Sequence, residues 1–352
     1  IVAAWMGHVE CVEVLLQGGA NPEATDTDGW NALMWAAGKG YANCIQALRW
    51  VAGTEAKEKT EGLTALHIAT HSEKVECIKA LLKGGANPEA TDGGGLTALM
   101  RAAGEGKADS IEPLLKGGAN PEATDREGFT ALMRAAWNGA SKCIQALLKG
   151  GANLEIVQEQ GFTALMIAAQ QGHVDCIQVL LRNGADPAAV SQLGATALYF
   201  AAEDGHADCI RALLQGGANI RAKWGAGWTA LHIAAHNDHA DCVRLLLQRG
   251  ADIEARAGDG LTALHFAAQF GHTRCVEELL RGGADIRAVK NDGFTALQVA
   301  RIARRHNTSL TPLARDACVG LLEQAEQAEQ ERGRRAAPRP RRRAAPRGPQ
   351  RA

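Results

Sequence analysis

Gly62-Leu63-Thr64-Ala65-Leu66-His67 returns unchanged at residues 260–265, 198 residues or six intervals of 33 further on. A threonine hydroxyl three residues from an imidazole suggests chemistry, but the intervening sequence gives another answer. Gly29, Gly62, Gly95, Gly128, Gly161, Gly194, Gly227, Gly260 and Gly293 keep the 33-residue spacing without a break. Each is followed by Thr-Ala-Leu, with Asn31-Ala32-Leu33 as the one departure. A second marker runs in phase: Cys11, Cys44, Cys77, Cys143, Cys176, Cys209, Cys242 and Cys275, with Ser110 in the vacant slot. A group repeated nine times is a building element, not an active site.

Composition agrees. Apolar residues make up 46% and aromatics only 4% of 352 residues, which suits short helices packed closely. No apolar run approaches the ~20 residues of a membrane helix, and no signal peptide opens the chain. Residue 1 is an isoleucine inside a repeat, so the sequence is read as a piece of a longer protein. Equivalent positions in stacked repeats lie ~8–10 Å apart, and a disulfide needs Cα atoms within ~7 Å. The cysteines are therefore expected to be unpaired, buried and small, in a reducing compartment.

Residues 161–193 show the unit. Gly161 sets a turn, Thr163 caps a helix, and Leu165, Ala168 and Ala169 form an apolar stripe at helical spacing. Gln170-Gln171-Gly172-His173 breaks it, and Val174, Ile177, Leu180 and Leu181 make a second stripe that ends at Asn183-Gly184. Ala185 to Gly194 has turn chemistry. Two helices of two to three turns are not stable alone, so burial comes from stacking on neighbours.

The period, the Gly-x-Thr-Ala-Leu-[His/Met] start, the Gly-His turn and the Leu-Leu-x-x-Gly-Ala-[Asn/Asp] ending together resemble the ankyrin repeat over about residues 1–323, as ten units with the first truncated. The resemblance implies an all-α repeat solenoid of helix-turn-helix pairs with projecting β-hairpin loops, over residues 1–330 with a C-terminal capping repeat. It implies that His67, His232 and His265 make hydrogen bonds between loops, which Met34, Met100, Met133 and Met166 lack. It also implies partner binding at the hairpin tips and the first-helix face of a concave groove. Departures mark weak points: the family's proline before Leu is alanine throughout, residues 49–61 lose the Leu-x-x-Gly-Ala ending, and Pro113 falls inside a second helix.

No catalytic, cofactor or metal site is expected. His-x-x-Cys recurs, as at His173/Cys176 and His206/Cys209, but offers two ligands per repeat where a structural metal needs four. The Gly-Gly pairs are helix caps, and no phosphate loop or Ser-His-Asp arrangement occurs.

The candidate residues lie on the binding face. The position after each repeat glycine carries Trp30, Phe129, Phe162 and Trp228 among others. These either form a long exposed apolar stripe or pack on the neighbouring loop. Arg101 and Arg134 stand one repeat apart where other units have Trp, Ile, Phe or Val, and Trp137 lies one turn beyond Arg134. Trp and Arg are typical anchors, and Trp35, Trp224 and Trp228 are further candidates. If the arginines are satisfied internally, Glu105 and Asp109 are the expected acceptors.

Residues 331–352 carry nine arginines, one glutamate and four prolines, eight positive charges net, which leaves −9 on residues 1–330 against −1 for the whole. The expectation is a disordered tail, serving as a nuclear signal, as a contact for nucleic acid or anionic membrane, or as an unselected end. The sequence thus points to a non-enzymatic, monomeric, cytoplasmic or nuclear scaffold for protein partners, with no small-molecule substrate. The alternative is the regulatory arm of a larger signalling enzyme, ubiquitin-ligase subunit or channel.

Overall fold

The computed structural model describes residues 1–49, 51–306 and 312–336. Residues 1–252 form one compact unit and the chain from Ile253 onward a second. In the first, sixteen helices fall into eight pairs between Val2–Met6 and Ala240–Gln248. In the second, Ala263–Phe270 pairs with Thr273–Arg281, and Ala296–His306 with Pro312–Ala336. Among the described residues there is no extended strand. Isolated antiparallel bridges close the bases of loops, as at Thr25–Asn31, Thr91–Thr97 and Trp224–Trp228.

Local chemistry explains each helix start. The Thr97, Thr130 and Thr163 side chains accept from the backbone N–H of Met100, Met133 and Met166. This cap fixes the first turn, so alanine suffices where the family has proline. In the histidine units the cap is reciprocal: Nδ1 of His67 meets both the hydroxyl and the N–H of Thr64, at 2.9 and 3.4 Å. Nε2 of His67 then donates to the Leu96 carbonyl of the next hairpin at 3.0 Å, and Nε2 of His265 to Phe294 at 3.2 Å. Those are the expected bonds between loops.

The Gly-His turn has its own logic. Nε2 of His173, His206 and His239 donates to the carbonyls of Trp137, Gln170 and Glu203 in the preceding repeat, at 2.9, 2.9 and 2.8 Å. The imidazole packs on the previous turn so closely that a Cβ on Gly172 would stand 2.8 Å from the His206 ring, and Gly172 has φ +79°. Glycine is required there twice over. These histidines hold repeats together and do not converge with the cysteines on a metal; no group of three potential ligands exists among the described residues.

The core is one layer repeated. Leu33, Leu66, Leu99, Leu132 and Leu165 are all within 2% of full burial, each contributing roughly 1.5–3 kcal/mol. Alanine pairs such as Ala102-Ala103 let successive first helices approach. All nine cysteines are free, and eight are buried. Burial pushes the thiols of Cys77 and Cys143 up to about 11 and those of Cys176, Cys209 and Cys242 to about 12. Cys11, in the first unit, departs from the expected burial and is exposed.

The weak points are accommodated locally. The helix Ala108–Lys116 runs through Pro113. After Leu48, residues 51–61 are organised by the buried Glu58, which accepts from the backbone N–H of Thr60, Glu61 and Leu63 at 2.7, 2.6 and 3.0 Å. At the C-terminus the helix Pro312–Ala336 continues six residues beyond the boundary expected at 330/331. The rest of the Arg-rich segment lies outside the described residues. No described helix is long and apolar enough to cross a membrane.

Candidate protein-binding face

Hairpin bases and first helices share one face, and a carboxylate at the hairpin base builds it. Oδ1 of Asp125 accepts from the N–H of Glu127 and Phe129 at 2.9 and 3.0 Å, closing the turn. Oδ2 accepts from Nε of Arg134, at 2.6 Å. Asp92 repeats the pattern, taking Gly94 and Leu96 through Oδ1 and Nη1 of Arg101, at 2.7 Å, through Oδ2. Asp26 does the same with Asp28, Trp30 and Nε1 of Trp35, the last at 2.8 Å. Wherever the hairpin base carries Asp, the helix carries a donor nine residues on. The units with Lys59, Gln158, Ser191, Trp224, Ala257 or Lys290 there carry Ile68, Ile167, Phe200, Ile233, Phe266 or Val299.

The two arginines are therefore satisfied internally, but not by the pair of acceptors the sequence suggested. Arg101 bonds Glu105 at 2.9 Å as expected, and also Asp92 and Glu61. Asp109 takes no part, being displaced by the buried hairpin aspartates, which lie closer through the fold than through the chain. Arg134 adds Glu127 at 2.8 Å to Asp125.

The aromatic candidates divide by region. Trp30 and Trp35 lie tilted against each other at 4.8 Å, and Trp5 meets Trp35 edge-on at 6.5 Å. Phe129 lies under the Arg134 guanidinium, 5.1 Å away, and meets Trp137 edge-on at 5.9 Å. Phe162 lies tilted against Phe200 at 4.6 Å. Trp228 lies 6.5 Å from Trp224, which lies tilted against Tyr199 at 4.9 Å. The rings after the repeat glycines thus pack on neighbours and are half-buried; Phe294 is exposed and Ala195 buried. Trp137 is different, with 43% of its surface exposed. An open groove of about 590 Å3 lined by Glu61, Leu96, Met100, Arg101, Arg134 and Asn138 lies on the same face.

Sequence reading missed Tyr199, Glu203 and Trp224 as a group, because Trp224 stands on the hairpin that follows the helix pair and meets Tyr199 only in the fold. It also missed a row of staples between hairpins. Oε1 of Glu55, Glu89, Glu122 and Glu155 accepts from the backbone N–H of Asn87, Asn120, Asn153 and Asp186 in the next unit, at 2.9, 2.8, 2.7 and 3.1 Å. The signal was legible as a glutamate at period 33 or 34, interrupted at Ala188 and Arg221.

Profiles of ankyrin repeats match residues 1–92, 48–125, 99–191 and 165–257 as three-copy segments, and residues 238–280 as a further ankyrin match. The chain belongs to the ankyrin repeat family. Its helix pairs, its hairpins and its capping residues, Asn31 in one unit and threonine in those that follow, stand in the family arrangement. Among solved structures, the crystal structure of the human ASB11 ankyrin repeat domain is similar, with a TM-score of 0.54 and 28% identity over 63% of this chain and 98% of that one. No curated protein matches the sequence. Ankyrin repeats are in general modules for binding other proteins, which is the coarse function this chain shares.

Proposed function

We propose that the chain is a non-enzymatic scaffold that holds a protein partner on its hairpin and first-helix face, with Trp137 as the anchor. The observation that carries this is the exposed indole of Trp137 held edge-on to Phe129, itself fixed under Arg134. An aromatic side chain that is exposed yet already positioned loses little freedom on binding, which is what anchors require. Arg101, Arg134 and Phe129 act in this reading as supports that set the surface. Trp30, Trp35, Phe162 and Trp228 extend it along the array. The free, buried cysteines support a reducing compartment, cytoplasmic or nuclear.

The test replaces Trp137 with a photo-crosslinking phenylalanine analogue in cells, identifies the crosslinked protein, and then titrates it with purified Trp137→Ala. The expected loss is about 2 kcal/mol, near thirtyfold in affinity, with unchanged circular dichroism. Equal affinity of variant and parent chain defeats the assignment of the anchor.

A further inference from the structure

A row of cations follows the last turns of four successive second helices. Val75–Lys83, Ala108–Lys116, Ser141–Lys149 and Val174–Arg182 each end on a basic residue that is exposed and one repeat from the next. Helix packing puts such neighbours roughly 8–10 Å apart. A helix C-terminus favours a cation but does not demand one: the next two second helices end on Gln215 and Gln248.

Between the first three of these helices the surface is open. A groove of about 390 Å3 runs between Lys79, Leu82 and Lys83 on one helix and Pro113 and Lys116 on the next. A second, of about 510 Å3, runs between Glu112, Leu115 and Lys116 and, across from them, Ala146 and Lys149. The half-buried Leu82 and Leu115 form the floors. They lie against Gly117 and Gly150, where an added Cβ would collide with them.

The carboxylates of this surface are engaged or stand at its other end. Glu76 bonds Lys79 at 2.7 Å and Glu112 bonds Lys116 at 2.6 Å. Lys116, and then Lys149 and Lys79 from the helices on either side, hold the Glu112 carboxyl below the usual carboxylate range, so three cations share one acid. Asp109 is in the first turn of its helix, and none of the four last turns contains an acid. Glu89, Glu122 and Glu155, further along the chain, are bonded to the following hairpins. Among the described residues Lys83 and Lys149 make no ion pair or hydrogen bond.

We propose that this row and its two grooves bind an extended acidic segment of a protein, with a carboxylate at every third residue and an apolar residue between. The spacing selects the conformation. A polyproline-type helix has three residues per turn and rises roughly 3.1 Å per residue, so every third side chain points the same way, about 9 Å from the last. That matches Lys83, Lys116 and Lys149. In a β-strand the same side chains alternate between faces, and in an α-helix they crowd within about 5 Å. Apolar residues between the carboxylates then lie over Leu82 and Leu115. The exposed charges set orientation and association rate more than affinity, and the grooves supply the burial. This surface belongs to the second helices and is separate from the Trp137 face.

The probe is a capped decapeptide, Glu-Leu-Pro three times and a final Glu, titrated into the full chain whose lysines carry 13C-methyl groups. Reductive methylation keeps the lysine charge, and the Arg-rich C-terminal residues 331–352 contain no lysine, so they stay silent in this NMR readout. The signals of Lys83, Lys116 and Lys149, assigned through single Lys→Arg variants, should shift together and saturate, while those of Lys39 and Lys223 stay in place. A peptide of the same composition with its four glutamates in one run should bind roughly tenfold more weakly, and the glutamine version more weakly still. The double variant Lys83→Gln, Lys149→Gln, read at Lys116, should lose about tenfold with circular dichroism unchanged. Equal response to the spaced and clustered peptides, equal shifts at Lys39 and Lys223, or no shift at millimolar peptide would overturn the proposal. So would an oligothymidylate that moves the same three signals at lower concentration, which would assign the row to nucleic acid. Trp137→Ala should leave this titration unaltered, so its failure and that of the Trp137 reading are separate results.

Discussion

Asp125 and Arg134 are joined across nine residues by a charge pair in which the aspartate is almost wholly buried and the arginine covers it, their side chains 1% and 25% exposed. One carboxylate oxygen holds the hairpin and the other holds the first helix. The pair locks the loop to the helix within a repeat, whereas the glutamate staples and turn histidines lock one repeat to the next.

Breaking that pair should cost stability before it costs binding. Removing one partner of a buried pair leaves a desolvated charge, so Arg134→Ala is expected to lower unfolding free energy by about 2 kcal/mol, the upper range for buried pairs being reduced by the arginine's partial exposure. Urea denaturation of Arg134→Met, Asp125→Asn and the double variant checks this: the double change should cost clearly less than the two single costs added. Strict additivity would mean that the two side chains are not energetically coupled.

Glu58 gives the long irregular segment a pH signature. Burial alone would raise its carboxyl, but the N–H groups of Leu63, Thr60 and Glu61 and the Thr60 hydroxyl outweigh it and hold the pKa down to about 2. A depressed acid contributes stability that is fully present above the unfolded value of 4.5 and is lost as pH falls from there through about 2. Glu58→Gln should therefore be less stable than the parent by roughly 2–3 kcal/mol at pH 7, with the gap closing as pH falls toward 2. A gap constant from pH 7 to pH 2.5 would contradict the assignment.

The row of glutamate staples is interrupted where Ala188 is exposed opposite Asn219. Installing the missing carboxylate by Ala188→Glu should let it accept from the Asn219 N–H and stabilise by about 0.5–1.5 kcal/mol. The converse change, Glu122→Ala, should cost a similar amount by releasing Asn153. Thermal melts of both, at matched ionic strength, distinguish this from a general charge effect, for which Ala188→Gln serves as the neutral control.

Thiol accessibility should follow the packing. Of nine cysteines, only Cys11 is exposed, so native-state labelling with iodoacetamide should modify one site rapidly. The other thiols, raised by burial to about 11 or 12 where the shift is large, should react only on unfolding. Fast labelling at Cys176 or Cys209 under native conditions would show that the repeat core opens.

The sequence by itself determined the repeat, its period, the helix pair, the threonine cap and the buried cysteine slot, because all of these are local: their markers recur every 33 residues and each is read within one unit. It also held the Asp–donor relationship, visible once Asp26, Asp92 and Asp125 are set beside Trp35, Arg101 and Arg134. Only the tertiary structure decided whether those donors face a partner or a buried carboxylate, since that depends on where the hairpin folds back over the helix. It alone decided which aromatic rings are spent on one another and which, as at Trp137, remain available. The meeting of Tyr199 and Glu203 with Trp224 of the following hairpin belongs to the same class. Helix periodicity assigns a side chain to a face, but contact across repeats is set by the stacking of whole units, which no window of sequence contains.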